Sequence, residues 1–155
     1  MIYVSHSLPI NEVGQPVLDR DTVWEGLVLK ANNALPFVPA MTQCEVVRRI
    51  DDFSFDRRIE LFDAEYMERI TLQPQRRVVF TRLSGPVLGT IVNDIEEVDG
   101  ELSLRFSFAL VLEDAESGSS AEEEYAEKTT AQYFAAVAGT LAAMRKVATG
   151  ESSVN

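Results

Sequence analysis

The stretch Ile91-Val-Asn-Asp-Ile-Glu-Glu-Val-Asp99-Gly100-Glu-Leu-Ser-Leu-Arg-Phe-Ser-Phe108 decides the fold. It holds two runs of alternating apolar and polar residues around a single Asp-Gly pair. Alternation with period two marks a half-buried strand, and Asp-Gly suits a type I′ turn, whose two central residues both need positive φ. With Asp99 and Gly100 as the turn, Val98 faces Glu101 and the pairing runs back from there. Ile91, Asn93, Ile95 and Glu97 then share a face with Phe108, Phe106, Leu104 and Leu102. Val92, Asp94 and Glu96 lie on the other face, opposite Ser107, Arg105 and Ser103. The two strands agree on which face is buried, as a true register requires. Two expectations follow: Asp94 and Arg105 form a cross-strand ion pair on the wet face, and Asn93 sits among aromatic residues on the buried one.

Upstream, period two continues back to Met41. Strands are expected at about 42–50, 53–62, 65–73, 77–84, 89–98 and 101–113, with short connections at Asp51-Asp52, Asp63-Ala64, Pro74-Gln75, Gly85-Pro86 and Asp99-Gly100. Connections this short force antiparallel neighbours. A turn at Asp51-Asp52 sets Val46, Arg48 and Ile50 with Phe53, Phe55 and Arg57. A turn at Asp63-Ala64 sets Leu61, Ile59, Arg57 and Phe55 with Tyr66, Glu68, Ile70 and Leu72, placing Arg57 and Glu68 diagonally on the apolar face with Arg48 nearby. That second register also sets Arg58 opposite Arg69, an unfavourable pair that a bulge would separate.

Helices flank the meander. Residues 2–8 alternate as one more strand, with Ile2, Val4, His6 and Leu8 on one face. Asp19 or Asp21 can cap a helix in which Trp24, Leu27, Val28 and Ala31 recur at helical spacing and which Pro36 and Pro39 stop. Ser120 and Glu123 read as a capping box for a long helix running to about Thr149, ended by Gly150. The acidic run Glu122-Glu123-Glu124 suits that N-terminus. The expected apolar stripe is Ala126, Thr130, Tyr133, Val137, Leu141 and Met144, with Phe134 alongside. The sum is an α+β helix-grip fold: a curved seven-stranded antiparallel sheet around a long C-terminal helix. Residues 1–150 read as one domain and 151–155 as a disordered tail.

Composition narrows the function. The 155 residues carry a net charge of -11, which repels phosphate backbones and anionic membranes. Neither a signal peptide nor a membrane-spanning run is present in the sequence, and the one cysteine, Cys44, excludes an internal disulfide. A cytoplasmic protein without nucleic-acid partner or membrane insertion is expected; a homodimer stays open. No metal-ligand spacing, phosphate loop or nucleophile elbow is found, and no cofactor is expected.

The order of elements, strand, helix, meander, long helix, resembles the START/Bet v 1-like (SRPBCC) superfamily. Thr22-Val-Trp-Glu-Gly-Leu-Val-Leu-Lys30, followed by Pro36-Phe-Val-Pro39, resembles the AtaL-like family, formerly a domain of unknown function. The resemblance implies a cavity between sheet and long helix, and carries over no catalytic residue.

An aromatic sheet face against a small-residue helix face leaves room for a pocket of about 300–1,000 Å3, the usual size of a ligand site. Its expected lining is Phe55, Tyr66, Ile70, Phe106, Phe108, Tyr133 and Val137, with Arg57, Glu68 and Asn93 as polar groups. The first reading is a binding protein for a small hydrophobic molecule, lipid-like or a polyketide or aromatic metabolite. The second is a cyclase- or dehydratase-like enzyme in which His6, Arg57, Glu68 and Asn93 move protons. The third is a protein-interaction module. Each polar residue also has a structural reading: Asn93 as a satisfied core amide, Arg57 and Glu68 as an internal ion pair, His6 as a packed core histidine.

Overall fold

A computed structural model describes residues 1–148. The elements run β1 (Ile2–Pro9), α1 (Arg20–Asn32), β2 (Met41–Asp51), β3 (Ser54–Leu61), β4 (Ala64–Gln73), β5 (Arg77–Ser84), β6 (Val87–Val98), β7 (Glu101–Leu112) and α2 (Ser120–Ala148). The strands form one antiparallel sheet in the order β1-β7-β6-β5-β4-β3-β2. Both helices pack on its inner face, α2 over β1 and β7 and α1 over β5 and β6. The expected tail, 151–155, and the expected helix end at Thr149 and Gly150 lie outside the described residues.

The β6–β7 hairpin has the register read from its sequence, Val98 opposite Glu101 back to Ile91 opposite Phe108. Asp99 and Gly100 both have positive φ, 53° and 80°. Asp94 does face Arg105, but the expected ion pair does not form. Arg77 on the neighbouring strand takes Asp94 at 2.6 Å, and Arg105 takes Glu96 at 2.8 Å. The third strand supplies a competing cation that a two-strand reading omits.

The β3–β4 register differs from expectation by two residues. The turn is Phe62-Asp63, both left-handed with φ of 52° and 60°, so the hairpin closes one residue earlier. Arg57 therefore stands directly opposite Glu68, not diagonal to it, and Asp56 rather than Arg58 faces Arg69. The unfavourable arginine pair disappears without a bulge. In its place Arg69 Nε and Nη2 donate to the two Asp56 carboxylate oxygens at 2.9 and 3.1 Å.

On the edge strand β2 the expected pairing of Val46 with Arg57 holds, but irregularities follow at Val46/Arg48 and Arg49/Asp51. They carry Arg48 off the inner face and bring Arg49 opposite Phe55, with its guanidinium 4.6 Å from the ring centre. Arg48, Ile50 and Phe53, expected inside, are exposed. Edge strands tolerate such bulges because one side has no ladder to disrupt.

Asp19 caps α1 by accepting from the Thr22 N–H at 2.8 Å. The α2 cap lies one residue earlier than expected. Ser119 accepts from the Glu122 N–H and Glu122 accepts from the Gly118 N–H, at 3.3 and 3.0 Å. In the second half of α2 the buried residues match the predicted stripe at Val137, Leu141 and Met144. Ahead of Val137 they are Glu122, Thr129 and Ala136, while Ala126, Thr130 and Tyr133 are only half-buried. A helix of 29 residues meets two surfaces, the sheet and α1, so one stripe of fixed spacing cannot describe it.

Two glycines set close approaches. A side chain at Gly26 would put its Cβ 2.3 Å from Met144 Cε, so α1 and α2 cross tightly there. Gly89, at φ 135°, would put a Cβ 2.0 Å from the Ala109 carbonyl oxygen, a conformation and a spacing open to glycine alone. Leu141 is 2% exposed in the core. Leu141→Ala should lower stability by about 2–5 kcal/mol, read as a fall in the urea midpoint; an unchanged midpoint would contradict the packing of α2 on the sheet.

Candidate functional site

The strand registers line up one rung of side chains across the middle of the inner face. Val46 faces Arg57, Arg57 faces Glu68, Glu68 faces Arg82 and Arg82 faces Gly89. Three neighbouring strands thus present Arg, Glu and Arg in a row, and the fourth presents no side chain. All three charged residues are buried, at 4%, 1% and 5% exposure.

The row is bonded internally and upward. Arg57 Nε donates to Glu68 Oε1 at 3.0 Å and Arg82 Nε to Glu68 Oε2 at 3.5 Å. Arg57 Nη1 donates to the carbonyls of Ala31 and Lys30, at 2.9 and 3.3 Å. Those carbonyls are among the last of α1 and lack helical partners, so Arg57 caps the helix from the sheet. The guanidiniums lie 5.2 Å from the Phe80 ring centre and 4.2 Å from that of Tyr66, a favourable cation–π arrangement.

Above the row is a cavity lined by Lys30, Ala34 and Val38 from α1 and its following loop, by Met41, Arg57, Ile59, Glu68, Phe80, Arg82, Ile91 and Asn93 from the sheet, by Phe62, and by Tyr125, Thr129, Gln132, Tyr133 and Ala136 from α2, among others. Its enclosed volume is about 50 Å3, room for a few water molecules. This is well short of the expected 300–1,000 Å3. The α2 face is not all small, since Tyr125 and Tyr133 reach in from it, and Lys30, Arg57 and Arg82 fill space that the aromatic count had left empty. A wider hollow of about 400 Å3 lies on the outer face around Arg77 and Asp94, but those two charges pair with each other.

Of the residues singled out from the sequence, Arg57, Glu68, Asn93 and Tyr133 line the cavity. Phe55, Tyr66, Ile70, Phe106, Phe108 and Val137 are not part of its lining. They are packed core, with Phe108 and Tyr133 ring centres 5.3 Å apart. His6 is packed between Phe106 and Phe134, at 5.7 and 4.9 Å, and does not join Arg57, Glu68 and Asn93. The four-residue proton-moving set is therefore not assembled. Cys44 is half-buried, its sulfur 3.7 Å from Arg57 Nη1 and accepting from the Ala34 N–H.

Lys30 and Arg82 were not singled out, yet their positions were readable. Lys30 follows Val23 and Leu27 along one helical face, and Arg82 follows Val78 and Phe80 in strict alternation. Both are charges on apolar faces. Lys30 Nζ donates to Asn93 Oδ1 at 3.3 Å. Three polar atoms of cavity residues have no partner: Arg82 Nη1, Asn93 Nδ2 and Thr129 Oγ1. Buried polar groups are ordinarily satisfied, and here three residues lining one cavity each carry an atom that is not. Burial also raises the phenols: Tyr66, with Tyr125 beside it, to about 12, and Tyr133 further. Among the described residues no group of three or more His, Cys, Asp or Glu could hold a metal, and no helix is long and apolar enough to cross a membrane.

Two stability experiments follow. Glu68 is the carboxylate between two buried arginines, so Glu68→Gln should cost about 3–5 kcal/mol; a loss below about 1 kcal/mol in chemical denaturation would mean the row is solvated. Burial, and then the charge of Arg57, lower the Lys30 ammonium from 10.5 to about 8. Between those values the unfolded chain binds more protons than the folded one, so this residue's contribution to stability rises with pH across that window and its penalty is full below pH 8. After allowing for the hydrogen bond lost to Asn93, Lys30→Met should stabilise by about 2 kcal/mol at pH 7. That gain should shrink steadily toward pH 10.5 when parent and variant are compared by urea midpoint.

Solved structures share this fold. The Zhui aromatase/cyclase from Streptomyces sp. R1128 is 20% identical with a TM-score of 0.65, covering 95% of this chain and 93% of that one. A START superfamily protein from Mycobacterium smegmatis is 12% identical with a TM-score of 0.66, over 92% and 98%. The di-domain ARO/CYC StfQ from the steffimycin biosynthetic pathway is 13% identical with a TM-score of 0.68, over 96% of this chain and 51% of that one. At such identities the likeness is one of fold. No curated protein matches the chain. A family profile, acetylaranotin biosynthesis cluster protein L, matches residues 4–150. The chain thus belongs to the AtaL family.

Proposed function

We propose that the chain binds a small, mainly apolar molecule in the cleft between sheet and α2, with an acidic or carbonyl oxygen of that molecule directed at Arg82, Asn93 and Thr129. The observation that carries this is the set of unpartnered atoms, Arg82 Nη1, Asn93 Nδ2 and Thr129 Oγ1, on residues that share one cavity. Two of the three are nitrogen donors. Three cations, Lys30, Arg57 and Arg82, surround the cavity with one carboxylate, Glu68, so the electrostatic balance also favours an electron-rich guest. Around these groups the lining is apolar: Ala34, Val38, Met41, Ile59, Phe80 and Ile91. An apolar pocket with a few convergent polar groups is the usual form of a small-molecule site. The enclosed space is about 50 Å3, so uptake of an aromatic or lipid-like guest widens the cleft.

A second reading is a cyclase-like reaction on such a guest. The fold likeness to two proteins described as aromatase/cyclases favours it, as do the enclosed Tyr133 phenol and the Tyr125 phenol in the lining. In this chain the proton-moving groups would be Lys30 and these phenols rather than His6.

The test is a matched pair of ligands. By calorimetric titration 2-naphthoate should bind about tenfold more tightly than 2-naphthylmethanol, a difference near 1.4 kcal/mol. Arg82→Met should erase the preference. Equal affinity for the two, or binding of neither, would overturn the reading.

A further inference from the structure

Lys30 is the charge that the ion-pair row does not absorb. Glu68 is shared between Arg57 and Arg82, and among the described residues no carboxylate pairs with Lys30. Its one hydrogen bond goes to a neutral acceptor, Asn93 Oδ1, at 3.3 Å, and uses one of three available protons. The residue is 5% exposed, projects from the inner face of α1 and lines the cavity. Arg57, whose Nη1 touches the Lys30 carbonyl, adds a second positive charge close by. A buried amine beside another cation loses its proton easily and becomes a nucleophile, as in enzymes that form imines with carbonyl substrates.

We propose that Lys30 condenses with an aldehyde or ketone group of the bound molecule to form an imine. The proposal rests on the cleft being the ligand site. The neutral Nζ attacks the carbonyl carbon, forming the C–N bond, while the C–O π pair moves to oxygen. Both Nζ protons then leave with that oxygen as water, and the nitrogen lone pair closes the C=N bond. Nothing is oxidised or reduced, and the step reverses on hydration.

The surroundings suit the step. At its value of about 8, roughly one Lys30 in ten is neutral at pH 7, against a few in ten thousand for a lysine in water. The charged and titratable groups in the same lining are Arg57 on β3, Glu68 on β4, Arg82 on β5, and Tyr125 and Tyr133 on α2. Of these only Glu68 favours a protonated amine, and the two arginines hold it. Asn93, whose Oδ1 accepts from Nζ and whose Nδ2 is unpartnered, is placed to orient the amine and to donate to the departing oxygen.

The chain has three lysines, Lys30, Lys128 and Lys146, so the site of reaction can be mapped without ambiguity. The intact protein is incubated with 2-naphthaldehyde and sodium cyanoborohydride, which reduces an imine to a stable amine, and modified peptides are identified by mass spectrometry. Labelling of Lys30 at least about tenfold faster than of Lys128, Lys146 or the α-amine is the expected result. Excess 2-naphthoate should suppress it, and Lys30→Met, whose midpoint is expected to rise because the buried charge is gone, should lose that label alone. Label spread over Lys128, Lys146 and the α-amine with Lys30 unmodified would overturn the imine, even where 2-naphthoate still binds. If Lys30 is unlabelled and 2-naphthoate does not bind either, the ligand site itself falls, and the imine with it.

Discussion

Glu68 holds two arginines inside the protein. A buried guanidinium without a counter-charge is strongly unfavourable, and here two of them flank one carboxylate on adjacent strands. The arrangement depends on register. A slip of one residue in β3–β4 or β4–β5 would turn one member of the row to the outer face and strand the others. The row therefore specifies the sheet as well as occupying it. Its other neighbour is Gly89, which the approach of the Ala109 carbonyl restricts to glycine, so the rung passes from charged side chains to none, with the cavity above it.

The same row fixes α1. Arg57 reaches past the ion pair to the terminal carbonyls of that helix, and Gly26, one turn before Lys30, sets the contact of α1 with Met144 of α2. Sheet, first helix and second helix thus meet through Arg57 at one end and Gly26 at the other, with Lys30 between them. A shift of α1 moves Lys30 relative to Asn93 and breaks the helix cap in the same motion. The contact of Lys30 with Asn93 and the position of the helix are one mechanical problem.

How much of this was legible depended on the range of the interaction. The β6–β7 hairpin was readable because its turn is Asp-Gly and its two strands alternate without fault. The β3–β4 turn was misplaced by one position because Phe62 has no sequence preference for the left-handed conformation that it adopts. That single position changed Arg57 and Glu68 from diagonal to directly opposed. The ion pair expected for Asp94 failed for a different reason, since Arg77 competes from a strand that the hairpin alone does not contain. The cavity's polar character was partly visible in Arg57, Glu68 and Asn93, while Lys30 and Arg82 passed unremarked on apolar stripes. Its volume was not readable at all: it depends on how far Tyr125 and Tyr133 reach from α2, and on side chains from seven elements meeting in three dimensions.

The pairing of β1 with β7 has a consequence for synthesis. Ile2 lies opposite Leu110 and Leu8 opposite Leu104, so β1, an edge strand among the described residues, meets its neighbour β7 only after the five strands between them have been made. Until then β1 is an unpaired run with an apolar face, and the rest of the meander can assemble by local hairpins without it. Once β7 emerges it offers an open edge bearing Phe106 and Phe108, and the β1 of a neighbouring nascent chain matches that edge as well as its own does. On a polysome, closely spaced copies would compete for it, and exchange of the first strand between them is the misassembly that this topology invites.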